Sequence, residues 1–394
     1  MSRNAFLNGN EAVAYGVKLS RPNVVAAYPI TPQTKAVEKI SSFVQNGELD
    51  CEYMHVESEH SAMACSIGAS SVGARTFTAT SSQGLLYMAE CLPYASGARL
   101  PIVMMNANRS LATPWNIYGD QMDTMFLLNA GWVQIFVEDA QEALDVTIQS
   151  FKLAEDERVM APVMVNLDGF VLTHTYEKVS IPSQEAVDQY LPPFKPSAHM
   201  MNDEEPMSMC ITAGNQHNME FKIKQHQELF NALHVFEEID HSYNEMFGRS
   251  YGGVLEGYQN EDADYLLVTT GSVTGTARVV VDELRNKGVK AGIIKLRVVR
   301  PFPIEAMVRS VANAKAIGII DKNISFGYEG TIYTNVNSAL LQRGLNLLTL
   351  NFIGGIGGRD ITKQNIEEMF EKLSTASSFE AVDTVSYYNV RCSL

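Results

Sequence analysis

Four short stretches hold most of the side chains able to do chemistry. They are Tyr28-Pro29-Ile30-Thr31-Pro32-Gln33-Thr34, His55-Val56-Glu57-Ser58-Glu59-His60-Ser61-Ala62, Thr80-Ser81-Ser82-Gln83-Gly84 and Asn106-Ala107-Asn108-Arg109. Together they offer hydroxyls, one pair of carboxylates and one guanidinium in otherwise apolar surroundings. Each follows an apolar run that reads as a strand. Each therefore stands where open parallel sheets bind ligands, at strand carboxyl ends beside helix N-termini. Oriented N–H groups, with an arginine able to grip a carboxylate through two hydrogen bonds, suit a small anionic organic substrate. The bland alternative is that Thr31 and Ser58 only cap helices and that Arg109 serves a surface ion pair. If the helix has begun by Glu57, the two glutamates lie a little over half a turn apart, and only one faces an apolar pocket. The small residues that follow, from Ser61 to Ala74, let a neighbouring backbone or a flat ligand approach closely.

The elements that must position these groups alternate along the chain. Strands are expected at 23–28, 52–56, 76–80, 102–106, 132–137 and 163–167, with helices at 32–43, 58–72, 83–96, 120–129 and 140–155. Thr31 is placed to cap the first of these helices, with Pro32 at its first position. Such alternation predicts a parallel sheet covered on both faces. Between 172 and 209 the periodicity dissolves where Pro182, Pro192, Pro193, Pro196 and Pro206 crowd together. An amphipathic segment follows at 221–247. A second alternating unit then has strands at 265–270, 291–297, 316–321 and 347–351; Gly271 to Gly275 opens one helix and Gly354 to Gly358 forms a tight strand-to-helix turn. Two α/β domains are expected, over residues 1–235 and 236–394.

Composition removes several classes of function. The chain has 394 residues and a net charge of −15, which repels a phosphate backbone and argues against nucleic-acid binding. No apolar run reaches the roughly 20 residues needed to span a bilayer, and the N-terminus has no cationic stretch ahead of an apolar one, so a cytoplasmic protein without a membrane role is expected. Cysteines at 51, 65, 91, 210 and 392 form no Cys-x-x-Cys pair, and no two histidines stand four apart. Neither an iron–sulfur cluster nor a metal is expected on this chain alone. Cys51, Cys65 and Cys91 read as buried small residues lacking an activating base, and Met54, Met63 and Met88 as core filler. Phe326 to Gly330 reads as a structural loop.

Taken in order, Tyr28 to Pro32, Glu57 to Ala62, Thr76 to Gly84, Asn108-Arg109 and Tyr118-Gly119-Asp120 resemble the α subunit of the thiamine-diphosphate-dependent 2-oxoacid:ferredoxin oxidoreductases. Leu296 to Pro303 and Ile320 to Asn323 are similar to the transketolase C-terminal-like domain of the same family. The resemblance implies a pyrimidine-type thiamine-diphosphate-binding parallel-sheet domain followed by that second α/β domain. It also implies that Glu59 accepts a hydrogen bond from N1′ of the aminopyrimidine ring, and that Thr31 and Arg109 hold the substrate carboxylate. Tyr28, Pro29, Ile30, Ser82, Gln83 and Gly84 would line the pyrimidine side. The family's Gly-Asp-Gly run for Mg²⁺ and diphosphate is missing, Asp168-Gly169 and Gly119-Asp120 being partial matches that read as loop turns. A β subunit is then implied for Mg²⁺ and the diphosphate, with iron–sulfur clusters on the β subunit and a ferredoxin-like γ/δ subunit, and external ferredoxin as acceptor.

Pyruvate-acting members often read Gly-Asp-His-Ser-Asp where this chain has Gly119-Asp120-Gln121-Met122-Asp123, preceded by Thr113-Pro114-Trp115. The departure points to oxalate, whose second carboxylate calls for polar groups in place of a methyl site. Oxidation of oxalate to CO₂ without coenzyme A is the leading expectation, and conversion of pyruvate to acetyl-CoA and CO₂ the alternative. Two further classes are a non-catalytic subunit, in which Glu59 and Arg109 only support packing, and a nicotinamide enzyme using the 354–358 loop. The second lacks the third glycine of Gly-x-Gly-x-x-Gly, Asp360 standing there.

Overall fold

Runs of Val, Ile, Ala and Thr form the strands of two large sheets. The computed structural model describes residues 3–196, 199–201, 204–205, 207–376 and 383–391, so Pro206 and Cys392 lie outside the described residues. The first sheet has the order Val298–Arg300, Val133–Phe136, Val163–Asp168, Ile102–Asn108, Thr76–Thr80, Val24–Ala27, Glu52–His55, parallel throughout except for its first member. The second runs Val385–Tyr387, Leu348–Ile353, Ala316–Asp321, Tyr265–Thr269, Ala291–Leu296, Leu255–Tyr258, with only the last antiparallel. Thr76–Thr80, Ile102–Asn108 and Val163–Asp168 are buried at every residue, because helices cover both faces of the sheet. From Val24–Ala27 the chain moves to Glu52–His55 on one side, then returns to Thr76–Thr80 on the other. That reversal opens a crevice at the carboxyl ends of the two central strands, where the first and third chemistry-bearing stretches emerge.

Several expected boundaries shift for identifiable reasons. A helix, Gly9–Ser20, precedes those expected, and the first of the expected ones is Thr34–Gln45, with Gln33 at its N-cap and no side-chain cap. Thr31 is therefore not the cap, and Pro32 is not at the first helical position. Gln33 is buried and sends its amide to the carbonyls of Tyr28 (3.1 Å) and Ala79 (2.8 Å), so residues 28–33 form a turn tied to the neighbouring strand. The helix expected at 83–96 is two pieces, Gln83–Tyr87 and Leu92–Gly97, because Pro93 opens a new first turn. Within 172–209 lie a strand, Glu177–Ile181, and a helix, Gln184–Tyr190; the strand pairs with Arg3–Leu7, too distant in sequence for local periodicity to show. Met63 and Met88 are core residues, whereas Met54 on the edge strand is exposed.

The long helix is Asn218–Phe247, and the division expected at 235/236 falls inside it. Its second half buries Ala232, Val235, Phe236, Ile239 and Tyr243 in the core of the first sheet domain. Buried charges join the two sheet domains. Glu142 accepts from Lys295 (2.8 Å) and Arg297 (2.7 Å), all three being almost wholly buried. Burial alone would raise the Glu142 carboxyl, but Lys295 and Arg297 outweigh it and hold it below the usual range. Asp145 likewise accepts from Arg249, Tyr243 and Tyr251. Replacing Glu142 by Ala removes the acid shared by two buried cations, leaving Glu138 to Lys295 and Asp240 to Arg297, and should lower unfolding free energy by about 3 kcal/mol in urea titrations. A loss below about 1 kcal/mol would show that this network does not hold the domains together.

Candidate active site

Arg109 leaves the end of Ile102–Asn108 and is 4% exposed, which removes the surface ion-pair reading. Its Nη1 donates to the Thr31 carbonyl at 2.7 Å and its Nη2 reaches Gln83 Oε1 at 3.5 Å. Its Nε is buried with no hydrogen-bond partner. Burial pushes the guanidinium below the ordinary arginine value, opposed by the charges of Asp123 and Glu59. Thr31 itself is exposed, and the group it offers to Arg109 is its carbonyl.

Glu59 opens the helix Glu59–Ser71, capped by Ser58. It is 8% exposed, and its carboxyl accepts no hydrogen bond from the described residues. Glu57 is exposed and accepts from Ser61, so only one of the two acids faces inward. A Cβ on Gly84 would lie 2.6 Å from Glu59 Oε1 and 2.6 Å from Thr80 Oγ1, so the backbone there rests directly on the carboxylate. Thr80 Oγ1 is a second buried atom lacking a partner. Ser82 has φ 53° and ψ −124°, a conformation costly for any residue with a side chain. It is held by its N–H to Asp123 Oδ2 (3.0 Å) and its hydroxyl to the Ser110 carbonyl (2.6 Å). Glu59, Gly84, Gln83, Arg109 and Thr31 thus form one cluster. Tyr28, Pro29 and Ile30 lie on its exposed rim, tied to it through Gln33 rather than to Glu59.

Asp123 is the residue that sequence reasoning passed over as a site residue. It accepts from the N–H groups of Ser82, Arg109 (3.2 Å) and Thr124 (2.8 Å), and from the amides of Asn106 (3.2 Å) and Asn108 (2.9 Å). One buried carboxylate therefore fastens the strained serine and the arginine backbone together. Burial raises it to about 6 despite those donors. The signal was the pair of asparagines on one face of an otherwise apolar strand, whose amides need a buried acceptor.

Asp168-Gly169 and Gly119-Asp120 are more than loop turns. Asp168 accepts from Lys322 (2.9 Å), Gln121 (3.2 Å) and the Ser272 N–H (2.8 Å), pinning the first sheet to the second domain. A Cβ on Gly119 would meet the Gly169 carbonyl at 2.3 Å, so these loops touch backbone to backbone. Cys91 has a base that was not foreseen, His60 at 3.5 Å, although burial pushes the thiol up. No group of three or more His, Cys, Asp or Glu able to hold a metal occurs among the described residues, and no described helix is long and apolar enough to cross a membrane.

The inward-facing acid without a donor, the free Nε and the bare Gly84 backbone beside the acid fit a flat, hydrogen-bonding ring beside an anionic carboxylate. Comparison with known proteins agrees in kind. Residues 15–241 match the family described as pyruvate flavodoxin/ferredoxin oxidoreductase, thiamine-diphosphate-binding, and residues 263–366 match pyruvate:ferredoxin oxidoreductase core domain II. The chain is 47% identical over 366 residues to the pyruvate synthase subunit PorA of Methanothermobacter thermautotrophicus, covering 93% of this chain and 94% of that protein. It is 42% identical over 386 residues to the ketoisovalerate oxidoreductase subunit VorA of Pyrococcus abyssi, covering 98% and 97%. Among solved structures, the 2-oxoglutarate:ferredoxin oxidoreductase of Magnetococcus marinus superposes with TM-score 0.69 at 20% identity, covering 94% of this chain and 65% of that one.

The Asp123 carboxyl sets a pH dependence whose sign follows from its raised value. Between its ordinary 3.8 and about 6 the folded chain keeps a proton that the unfolded chain has released. Its contribution to stability is therefore greatest below that window and is lost as pH rises through 6, by about 1 kcal/mol between roughly pH 5 and 7.5. In Asp123→Asn that component disappears, while an amide now faces the N–H donors and lowers stability by about 1–3 kcal/mol at both pH values. Urea unfolding of the full chain and the variant at the two pH values tests this; an unchanged difference between them would assign the titration to other carboxyls.

Proposed function

The chain belongs to the pyruvate flavodoxin/ferredoxin oxidoreductase family as an α subunit of a thiamine-diphosphate-dependent 2-oxoacid:ferredoxin oxidoreductase, and on that footing we propose that its substrate is pyruvate. With its partner subunits it would convert pyruvate and coenzyme A to acetyl-CoA and CO₂, passing two electrons to two oxidised ferredoxins. The observation that carries this reading is that Arg109 is the one cation among the described residues of the hydrogen-bonded network that ties Gln83 to Thr31. The hydrogen bonds linking Thr31, Gln83, Ser82, Ser110 and Asp123 include one positive group, Arg109, and the apolar indole of Trp115 stands 5.6 Å from it. One guanidinium beside an indole suits one carboxylate beside a methyl group. Oxalate would set its second carboxylate beside the indole, where no second cation of the described network meets it.

Of the residues that suggested oxalate, Gln121 and Met122 face elsewhere, and Trp115 is the one beside Arg109. Gln121 is buried with its amide between Asp168 and Thr270, and the Met122 sulfur accepts from the Ile324 N–H. Both pack against the second domain and leave the Arg109 side of the loop unchanged. The oxalate expectation also finds no support among the relatives, which are named for pyruvate and ketoisovalerate.

Under this reading Glu59 would accept the hydrogen bond of the pyrimidine N1′, with the bare backbone of Gly84 beside it leaving room for a flat ring. Bound thiamine diphosphate supplies the carbon nucleophile and the electron sink for decarboxylation. Arg109 binds the substrate carboxylate through its free Nε, Thr31 assists from the rim, and Tyr28, Pro29, Ile30, Ser82 and Gln83 enclose the ring. Burying Glu59 and Arg109 strengthens both contacts, because the surrounding dielectric is low. A β subunit with Mg²⁺, the diphosphate contacts and iron–sulfur clusters, and a ferredoxin-like γ/δ subunit, complete the enzyme, which works in the cytoplasm.

The assembled complex, given coenzyme A and a low-potential acceptor, should turn over pyruvate; turnover of oxalate alone would overturn the reading. Glu59→Gln should assemble normally yet lose about 10²–10⁴ in kcat, the usual worth of a positioned proton acceptor. Full activity in that variant would favour the non-catalytic subunit. Arg109→Lys, which cannot form the forked contact, should raise the KM for pyruvate about tenfold or more.

A further inference from the structure

The glycine-rich stretch 354–358 follows the strand Leu348–Ile353 and reaches across to the first domain, where it meets the loop that follows Arg109. The Gly357 N–H donates to Asp120 Oδ2 at 3.0 Å, and the Gly357 carbonyl accepts from the Asn116 amide at 2.9 Å. A Cβ on Gly358, whose φ is +79°, would sit 2.3 Å from the Tyr118 Cβ. The first-domain loop is closed at its neck as well. The Ser110 N–H donates to the Tyr118 carbonyl at 3.0 Å, and the Ser110 hydroxyl donates to Asp120 Oδ2 at 2.5 Å. At the tip between these anchors Trp115 stands over the Arg109 guanidinium with 70% of its surface open. No dinucleotide role is needed to account for these glycines, since their bare backbone is what lets Asn116 and Tyr118 come so close.

We propose that Trp115 is the specificity-determining residue that reads the alkyl group of the 2-oxoacid, and that Gly357 and Gly358 of the second domain are positioning residues that hold its loop against Arg109. The inference rests on the 2-oxoacid reading above and adds to it which residues choose among 2-oxoacids. A carboxylate bound by Arg109 leaves the neighbouring carbon chain beside the indole. A bulky ring there favours the one-carbon tail of pyruvate, and its removal makes room for a branched tail. Differences of one or a few methylene groups in such a pocket are worth about 10–200-fold in kcat/KM.

The test uses the assembled complex and two acids, pyruvate and 3-methyl-2-oxobutanoate. Trp115→Ala should shift the ratio of kcat/KM toward the branched acid by about tenfold or more. Gly358→Ala should push Tyr118 and its loop away, raising the KM for pyruvate about tenfold with a much smaller change in kcat. Asn116→Ala, which removes the amide from the Gly357 carbonyl without adding bulk, should move the KM in the same direction by a smaller factor. Thermal unfolding and cofactor retention measured alongside separate these effects from loss of folding. A ratio unchanged within twofold in Trp115→Ala, with wild-type turnover of pyruvate intact, overturns the specificity role alone. Should Gly358→Ala fail to assemble, an unchanged pyruvate KM in Asn116→Ala overturns the positioning role. Absence of turnover of either acid by the wild-type complex overturns the function and this inference together.

Discussion

A carboxylate turned into a crevice with no hydrogen-bond donor from its own chain must be aimed by the structure around it. Glu59 is in that state, and the crevice is organised around it. Ser58 starts the helix that aims it inward, and Gly84 lets the next loop settle against its carboxyl oxygen. That loop turns through Ser82 in a conformation that a serine would not choose alone. The Asp123 carboxylate holds the turn there and, by accepting the Arg109 N–H as well, fixes the one cation relative to the one open acid. The strain and the buried charges thus belong to a single arrangement.

The second domain takes part in that arrangement. Acids near the site look across the junction: Asp168 to Lys322 and Ser272, Asp120 to Gly357, and on the far face Glu142 to Lys295 and Arg297. The strand Val298–Arg300 extends the first sheet at its edge. Interfaces between sheet domains of this kind often slide, but buried ion pairs tolerate little displacement because separation leaves uncompensated charge. The loop bearing Trp115 is therefore set by contacts in both domains.

Much of this was legible from residue order. Strand–helix alternation announced the parallel sheet, and apolar runs such as Thr76–Thr80 and Ala316–Asp321 appear at the expected positions. The four stretches at strand ends did converge, because a sheet whose order reverses leaves them nowhere else to go. What stayed hidden depended on long-range partners. Gln33, not Thr31, takes the N-cap position, and its side chain bonds Ala79, a neighbour in space but not in sequence, instead of the helix. The strand Glu177–Ile181 exists through Arg3–Leu7 at the other end of the domain. Asp123 looked like one acid among several in a loop, and its role depends on five donors arriving from three segments.

The misreading of Gln121 and Met122 shows why a local departure from a motif is weak guidance to substrate. A motif gathers residues by sequence position, whereas a pocket gathers them by direction. In this loop Asp120 and Gln121 turn toward the second domain, Asp123 turns under the crevice floor, and only the tip around Trp115 stands over Arg109. Changes at 121 and 122 thus alter how two domains meet, and leave the charge and shape beside the guanidinium to Trp115. Specificity at such a site is a difference between two transition-state affinities. It is therefore read from what lies within contact of the substrate's variable atoms, and here those atoms meet an indole held from behind by glycines.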